Sequence, residues 1–491
     1  MKQIANWTAA LGAVALAVGM ASCGDSDEPE KAQTGPATET GLKCGKGTHE
    51  DKGFCVADAQ NSAVETPVFQ APPSGYDAGV GWETQFARKT GVTLEATADS
   101  SGDPTWDPAA HPLVFITTVG PGYGGALGGV KLPGYTVIDA ATHEVLVYRA
   151  FDLKWADPFE PHGLGVSPDG KWIYLPTGDG PTRGRFLIIN AKTGKLDKML
   201  ATRGRPHHAS AFTDSKGNGR ALLYGWAQPP FVLDPKDDNK VVGGMDFTDL
   251  GMEGYLYFID PTGKEMWASG RWRQDVASEL KDNIVMVADA EAWKLKKMLP
   301  IHDSTPVWID FSADNRWAYA SGGHSSVIVK YDRATYKEIG ESRAGVEGPY
   351  GLRLSWDGKI IYAVGKGEGS HNQGKEIGLV DTMIMETTDR PMNVFPTDCI
   401  RGDHATLHPV SSTNELWLSC NSSFKVAIYD MKTNTVSGSI PMPSGGSTHS
   451  GAFVKYNADW TGEVLSDHNG LHGAPLKEQA ALHAKVGVKT P

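Results

Sequence analysis

One short phrase returns along this chain at a nearly fixed interval, and that recurrence constrains the fold more than any other feature. His162-Gly-Leu-Gly-Val-Ser-Pro-Asp-Gly170, followed by Lys-Trp-Ile-Tyr-Leu-Pro, comes back as Tyr350-Gly-Leu-Arg-Leu-Ser-Trp-Asp-Gly358 followed by Lys-Ile-Ile-Tyr-Ala-Val. A weaker copy is Val307-Trp-Ile-Asp-Phe-Ser-Ala-Asp-Asn315 with Arg-Trp-Ala-Tyr behind it. Each phrase reads as a strand, a tight Asp-Gly or Asp-Asn turn and a second strand. β-rich runs ending in Asp or Asn come next, such as Phe186–Asn190, Val327–Asp332 and Val426–Asp430, and turn residues lead on to a fourth strand. The first positions of the inner strands align as His162, His208, Glu253, Val307, Tyr350, His404 and His449, spaced by 46, 45, 54, 43, 54 and 45 residues. Seven four-stranded units at this period predict an all-β fold, a seven-bladed β-propeller. The runs Leu113–Val119, Tyr135–Ala140 and Val145–Ala150 come before the first start. They are expected to be the outer strands of a blade whose inner strand comes from the C-terminal end, a closure that removes free sheet edges. The absence of helical periodicity excludes a helical solenoid.

The ends of the chain read differently. Lys2, the apolar run Ala9–Gly19 and Met20-Ala-Ser-Cys23 form a signal peptide whose cysteine resembles a bacterial lipobox. The expectation is a periplasmic, membrane-anchored lipoprotein carrying its lipid on Cys23. Residues 25–40 are polar and without periodicity, as a tether would be. The expected division is a signal peptide over 1–22, a tether and small N-terminal segment over 23–104, the propeller over 105–475 and a tail over 476–491. Four cysteines remain after Cys23, and an exported chain can oxidise them. Of three possible connectivities, the local pairs Cys44–Cys55 and Cys399–Cys420 are the natural ones. A formal net charge of −12 argues against nucleic acid as a partner.

Propeller topology then sorts the histidines. The loop leading into each inner strand and the loop joining the second and third strands share one face. The Asp-Gly turns share the other. His162, His207, His208, His404 and His449 lie at inner-strand starts, and His324 and His371 lie in second-to-third-strand loops, so all seven belong to one face. Only His143 and His408 fall on the opposite one; His468 comes after the last repeat and has no clear place. Glu253, Asp275 and Lys131 belong to the histidine face as well. The Gly-rich loop Gly120–Gly129 has no helix behind it and so is not a nucleotide cradle. Imidazoles suit Zn, Cu, Fe and Ni; a histidine-rich set with few carboxylates and no thiolate leans towards copper, and seven donors exceed the needs of one ion. The adjacent pair His207-His208 is expected to reach one cluster.

Pro206-His-His-Ala-Ser-Ala-Phe-Thr-Asp, followed by Gly219-Arg-Ala-Leu-Leu-Tyr, resembles the double-histidine strand of the seven-bladed copper propeller in nitrous oxide reductase. The chain lacks that enzyme's downstream copper domain. It is more similar to thiocyanate dehydrogenase, across roughly residues 105 to 475. That resemblance implies a trinuclear centre, about three copper ions, with His162, one or both of His207 and His208, Asp275, His324, His371 and His449 as ligands. It implies Glu253, His404 and Lys131 as catalytic residues: Glu253 activating water, and Lys131 or His404 steadying the anion. The implied reaction oxidises a small anion, thiocyanate, to cyanate and sulfur, and passes electrons to a periplasmic acceptor such as a cytochrome c. The lipid anchor and the Cys44–Cys55 segment depart from the family. Two other readings remain open from sequence: a non-enzymatic surface-binding propeller, and a propeller binding heme d1.

Overall fold

The computed structural model describes residues 48–51, 54–57, 68–70 and 107–486, apart from 120–132, 152–160, 178–183, 203, 227, 248–251, 273–282, 302–304, 324, 368–372 and 386–392. The signal peptide, the tether and Cys44 lie outside the described residues, as do Lys131, Asp275, His324 and His371.

Seven antiparallel blades succeed one another around a ring. Blade 1 is Gly165–Val166, Trp172–Pro176, Arg185–Asn190 and Leu196–Ala201, with the N-terminal strand Val68–Gln70 added to its outer edge. The inner strands of blades 2 to 7 are Arg205–Thr213, Met252–Ile259, Pro306–Phe311, Pro349–Leu354, Gly402–Leu407 and Thr448–Tyr456. Blade 7 closes the ring as the sequence predicts: Thr448–Tyr456 pairs with Leu113–Thr118, which carries Gly134–Asp139 and Val145–Ala150 outward. The strands hold because side chains on both faces of each blade meet neighbouring blades. Trp267, Trp308, Trp317, Tyr148 and Tyr174 are among the largest fully buried groups between them. The disulfide Cys399–Cys420 joins the approach to blade 6 with the end of its second strand, Cα to Cα 4.9 Å.

Two features position the site. The first is a one-residue bulge near the start of the inner strand in blades 2 to 7. Register slips between Pro206 and His208, Gly254 and Tyr257, Pro306 and Ile309, Pro349 and Leu352, Gly402 and Ala405, and Thr448 and Gly451. A bulge breaks the two-residue alternation of a strand and re-aims side chains. In three blades a serine on the second strand accepts a backbone N–H at this slip: Leu256 to Ser269 at 2.8 Å, Trp308 to Ser321 at 3.0 Å and His404 to Ser419 at 2.9 Å.

The second is a strand inside the ring. Gly462–Asp467 pairs with Thr448–Tyr456 on the side away from Leu113–Thr118, which places it in the central channel. Inner strands of other blades grip its C-terminal end and the residues just beyond. Ala211 N donates to Asp467 Oδ2 at 2.7 Å, and Arg353 donates to the Asp467 and His468 carbonyls at 2.9 and 2.6 Å. Asn469 exchanges two hydrogen bonds with the Ile259 backbone. The helix Gly473–Val486 then crosses the turn face: Ala313 N donates to His483 Nδ1 at 3.0 Å, Gln479 to the Ser355 carbonyl and Ser411 to Glu478. The channel is therefore filled from the turn side, and the histidines occupy its other end. No helix of the described residues is long and apolar enough to cross a membrane.

Candidate metal centre

Among the described residues, six histidines converge around the channel axis. His208 extends from the blade 2 inner strand, His404 from blade 6 and His449 from blade 7, while His162 precedes blade 1. His207 is the extra residue of the blade 2 bulge, which turns it to the same side as its neighbour. His468 comes from the end of the strand that fills the channel. His207, His208, His404, His449 and His468 are at most 1% exposed, and His162 is half-buried.

The deep group is His208, His404 and His468, whose ligand-type atoms all lie within 4.8 Å of one another. His208 Nε2 and His404 Nε2 are 2.7 Å apart. Tyr224 OH meets His468 Nε2 at 2.6 Å, which leaves His468 Nδ1 as a buried nitrogen without a hydrogen-bond partner. The His468 ring is stacked on Phe258 and edged by Trp308, so its orientation is fixed. The shallow group is His162, His207 and His449, with His162 ring centroids 4.1 Å from His207 and 4.3 Å from His449. Asp403 joins the groups: its Oδ2 lies 2.9 Å from His404 Nδ1 and 2.5 Å from His449 Nδ1, and Lys366 Nζ lies 3.1 Å from its Oδ1. Within the pair, His208 Nδ1 and His207 Nδ1 are 2.6 Å apart.

Local sequence makes room for this crowd. A Cβ on Gly163 would fall 1.9 Å from His208 Cδ2, so only glycine beside His162 lets the His208 ring lie where it does. Gly163 also anchors the two blades, donating to the His207 carbonyl at 3.0 Å and accepting from Ala209 N at 3.0 Å.

The electrostatics suit a metal. Burial pushes His207, His208 and His468 well below the ordinary histidine range, and repulsion from neighbouring histidines and, for His207 and His468, from Lys366 and Arg353 respectively adds to it. His404 is lowered by burial too, against the pull of Asp403. Burial alone would raise the Asp403 carboxyl, yet His404, Lys366 and His449 beside it hold it well below the usual carboxylate range. Neutral imidazoles are the form that ligates a cation. Metal–nitrogen bonds near 2.0–2.1 Å put tetrahedral ligand atoms about 3.3 Å apart, within the spread of the deep group. His208, His404 and His468 each bring a buried ring nitrogen within 4.8 Å of the others, and His468 Nδ1 has no hydrogen-bond partner, an arrangement that fits a bound cation.

Of the residues expected from sequence, His162, His207, His208, His404 and His449 come together. His404 stands among the ligand-type atoms. Glu253 lies in the strand Met252–Ile259 with its side chain outside the described residues. Sequence reasoning missed His468, which belongs to no repeat, and Asp403, whose Gly-Asp-His setting resembles an ordinary strand start.

No family model matches the chain, and no curated protein does. Among solved structures it is similar to the dihydro-heme d1 dehydrogenase NirN in complex with DHE, at 14% identity and TM-score 0.47 over 84% of each chain. The Pseudomonas aeruginosa periplasmic gluconolactonase PpgL is similar at 16% identity and TM-score 0.49, over 70% of this chain and 99% of that one. Kuenenia stuttgartiensis hydrazine synthase is similar at 14% and 0.44, over 63% and 96%. At these identities the likeness is one of fold.

Proposed function

We propose that this protein is a copper-dependent oxidoreductase with a multinuclear centre in the propeller channel, acting on a small inorganic anion such as thiocyanate. The observation that supports this most is the thiolate-free convergence of His208, His404 and His468 in a fully buried site, where His208 Nε2 faces His404 Nε2 and His468 Nδ1 has no hydrogen-bond partner. Imidazole donors without sulfur suit copper among the redox metals. His208, His404 and His468 would hold one ion. His449 and His162, with the expected Asp275, His324 and His371, would hold the others. Copper, when bound, supplies one-electron redox chemistry.

The protein's own groups account for the rest. Tyr224 orients His468, and Phe258 and Trp308 keep water from its faces. The reaction class balances as thiocyanate plus water giving cyanate, sulfur, two protons and two electrons, the electrons passing to an acceptor such as a cytochrome c. Glu253 is the assigned proton acceptor for the water, and Lys131 the cation that steadies the anion. The signal peptide and the lipid on Cys23 would hold the centre in the periplasm at a membrane.

Copper analysis of protein exported in copper-replete cells, with an assay of thiocyanate oxidation, tests this. Several copper ions per chain and turnover abolished in His208→Ala are expected. Copper-free protein would refute it. A Soret band after supply of a tetrapyrrole would place a heme d1-type group there instead, and unchanged stability in chelator would favour a non-enzymatic binding propeller.

A further inference from the structure

We propose that Asp403 is the positioning residue of this centre, a yoke that fixes His404 and His449 in one tautomer and turns the Nε2 of each towards metal; this rests on the copper reading above. The two oxygens of the carboxylate have separate tasks. Oδ2 alone faces both Nδ1 atoms, at 2.9 and 2.5 Å. An ionised carboxylate only accepts, so both rings carry their hydrogen on Nδ1 and a bare lone pair on Nε2. His449 Nε2 correspondingly accepts from Asn421 Nδ2 at 3.1 Å, a hydrogen bond that a metal ion at this nitrogen would displace. His404 Nε2 faces His208 Nε2 in the deep group. A hydrogen bond from a metal-ligating histidine to a carboxylate sets which nitrogen ligates and how the ring points. Here one carboxylate does this for a ring of the deep group and a ring of the shallow group at once.

Oδ1 faces Lys366 Nζ at 3.1 Å. That ammonium is held in place by Tyr350, with Nζ 3.7 Å from the ring centroid, and Lys366 is 4% exposed. Lys366 makes the carboxylate irreplaceable by its amide. An asparagine with its oxygen towards the histidines presents NH₂ to an ammonium, and the flipped amide presents NH₂ to two N–H donors. Removing the ammonium removes that conflict.

Two measurements test the yoke. Histidine-selective ¹⁵N NMR of the metal-free wild-type protein should find Nδ1–H in both His404 and His449; an Nε2–H tautomer in either overturns the proposal without any variant having to fold. Copper affinity by chelator competition should fall about 10- to 100-fold in Asp403→Asn, and most of that loss should return in the double variant Asp403→Asn with Lys366→Met. Wild-type affinity in the single variant, or no recovery in the folded double variant, overturns it as well. If the wild-type protein takes up no copper, it is the copper reading that fails, and the tautomers of the metal-free protein still decide whether Asp403 acts as the yoke.

Discussion

At the scale of single residues, the adjacent histidines show how one hydrogen can divide two roles. His207 and His208 meet through their Nδ1 atoms. Two neutral rings so joined share one hydrogen there, and only the ring that donates it keeps a lone pair on Nε2. In the proposed centre His208 Nε2 is the ligating atom of the deep group, so His208 would donate through Nδ1 to His207, which orients it. The sequence leaves open whether one or both ligate; under the copper reading proposed above, this geometry favours His208. Copper affinity should therefore fall by more than about 100-fold in His208→Ala and by less than about 10-fold in His207→Gln, which keeps an acceptor. Chelator competition reads both. Gly163→Ala should cost affinity without replacing a ligand, because its methyl would press on the His208 ring. The side of the molecule on which these histidines lie was legible from the repeat. What each nitrogen does was not, because hydrogen bonds between blades far apart in the chain decide it.

At the scale of elements, the blades are plain in the sequence and their bulges are not. Asp-Gly turns and alternating apolar runs mark the strands, but one inserted residue has no compositional signature. The slip at Pro206 and His208 is what lets two consecutive residues face one site. Ser419, which accepts His404 N, should be worth about 1 kcal/mol in a Ser419→Ala variant by chemical denaturation. Neighbouring blades are joined by an ionic cluster as well. Glu265 on blade 3 takes hydrogen bonds from Lys296 at 2.6 Å, Trp267 at 3.0 Å, Arg333 at 2.9 Å and Tyr336, the last two from blade 4. Burial would raise this carboxyl, but the four donors pull it down to about 2. A lowered carboxyl stabilises the fold fully above its unfolded value, near 4.5, and that share disappears only as pH falls through about 2. Glu265→Gln should cost about 2 kcal/mol at neutral pH by chemical denaturation, since it weakens charge-assisted bonds to Lys296 and Arg333 while Arg333 keeps Asp260 at 2.8 Å.

At the scale of the whole molecule, the closed ring was foreseeable from three unpaired runs ahead of the first repeat. The strand that fills the channel was not, because Gly462–Asp467 lies beyond the last repeat and matches none of it. The helix behind it carries its own pH dependence. Burial lowers His483 against the pull of Ser355, Asp314, Asp310 and Asp357, so the docked ring is neutral. A lowered histidine contributes stability above its unfolded value, about 6.5, and the contribution is lost as pH falls through the folded one. Proteolysis within Gly473–Val486 should accordingly quicken as the pH is taken from neutral to mildly acidic, and less so in His483→Gln. The place of His468 in the chain has a consequence for biogenesis. Its imidazole lies beyond the strand that closes the ring, later in the chain than all its companions. Every other histidine of the cluster has left the ribosome before it arrives. Under the export and copper binding proposed above, a chain threaded across a membrane N-terminus first would not complete this site in transit, and copper would be delivered to a finished molecule on the far side.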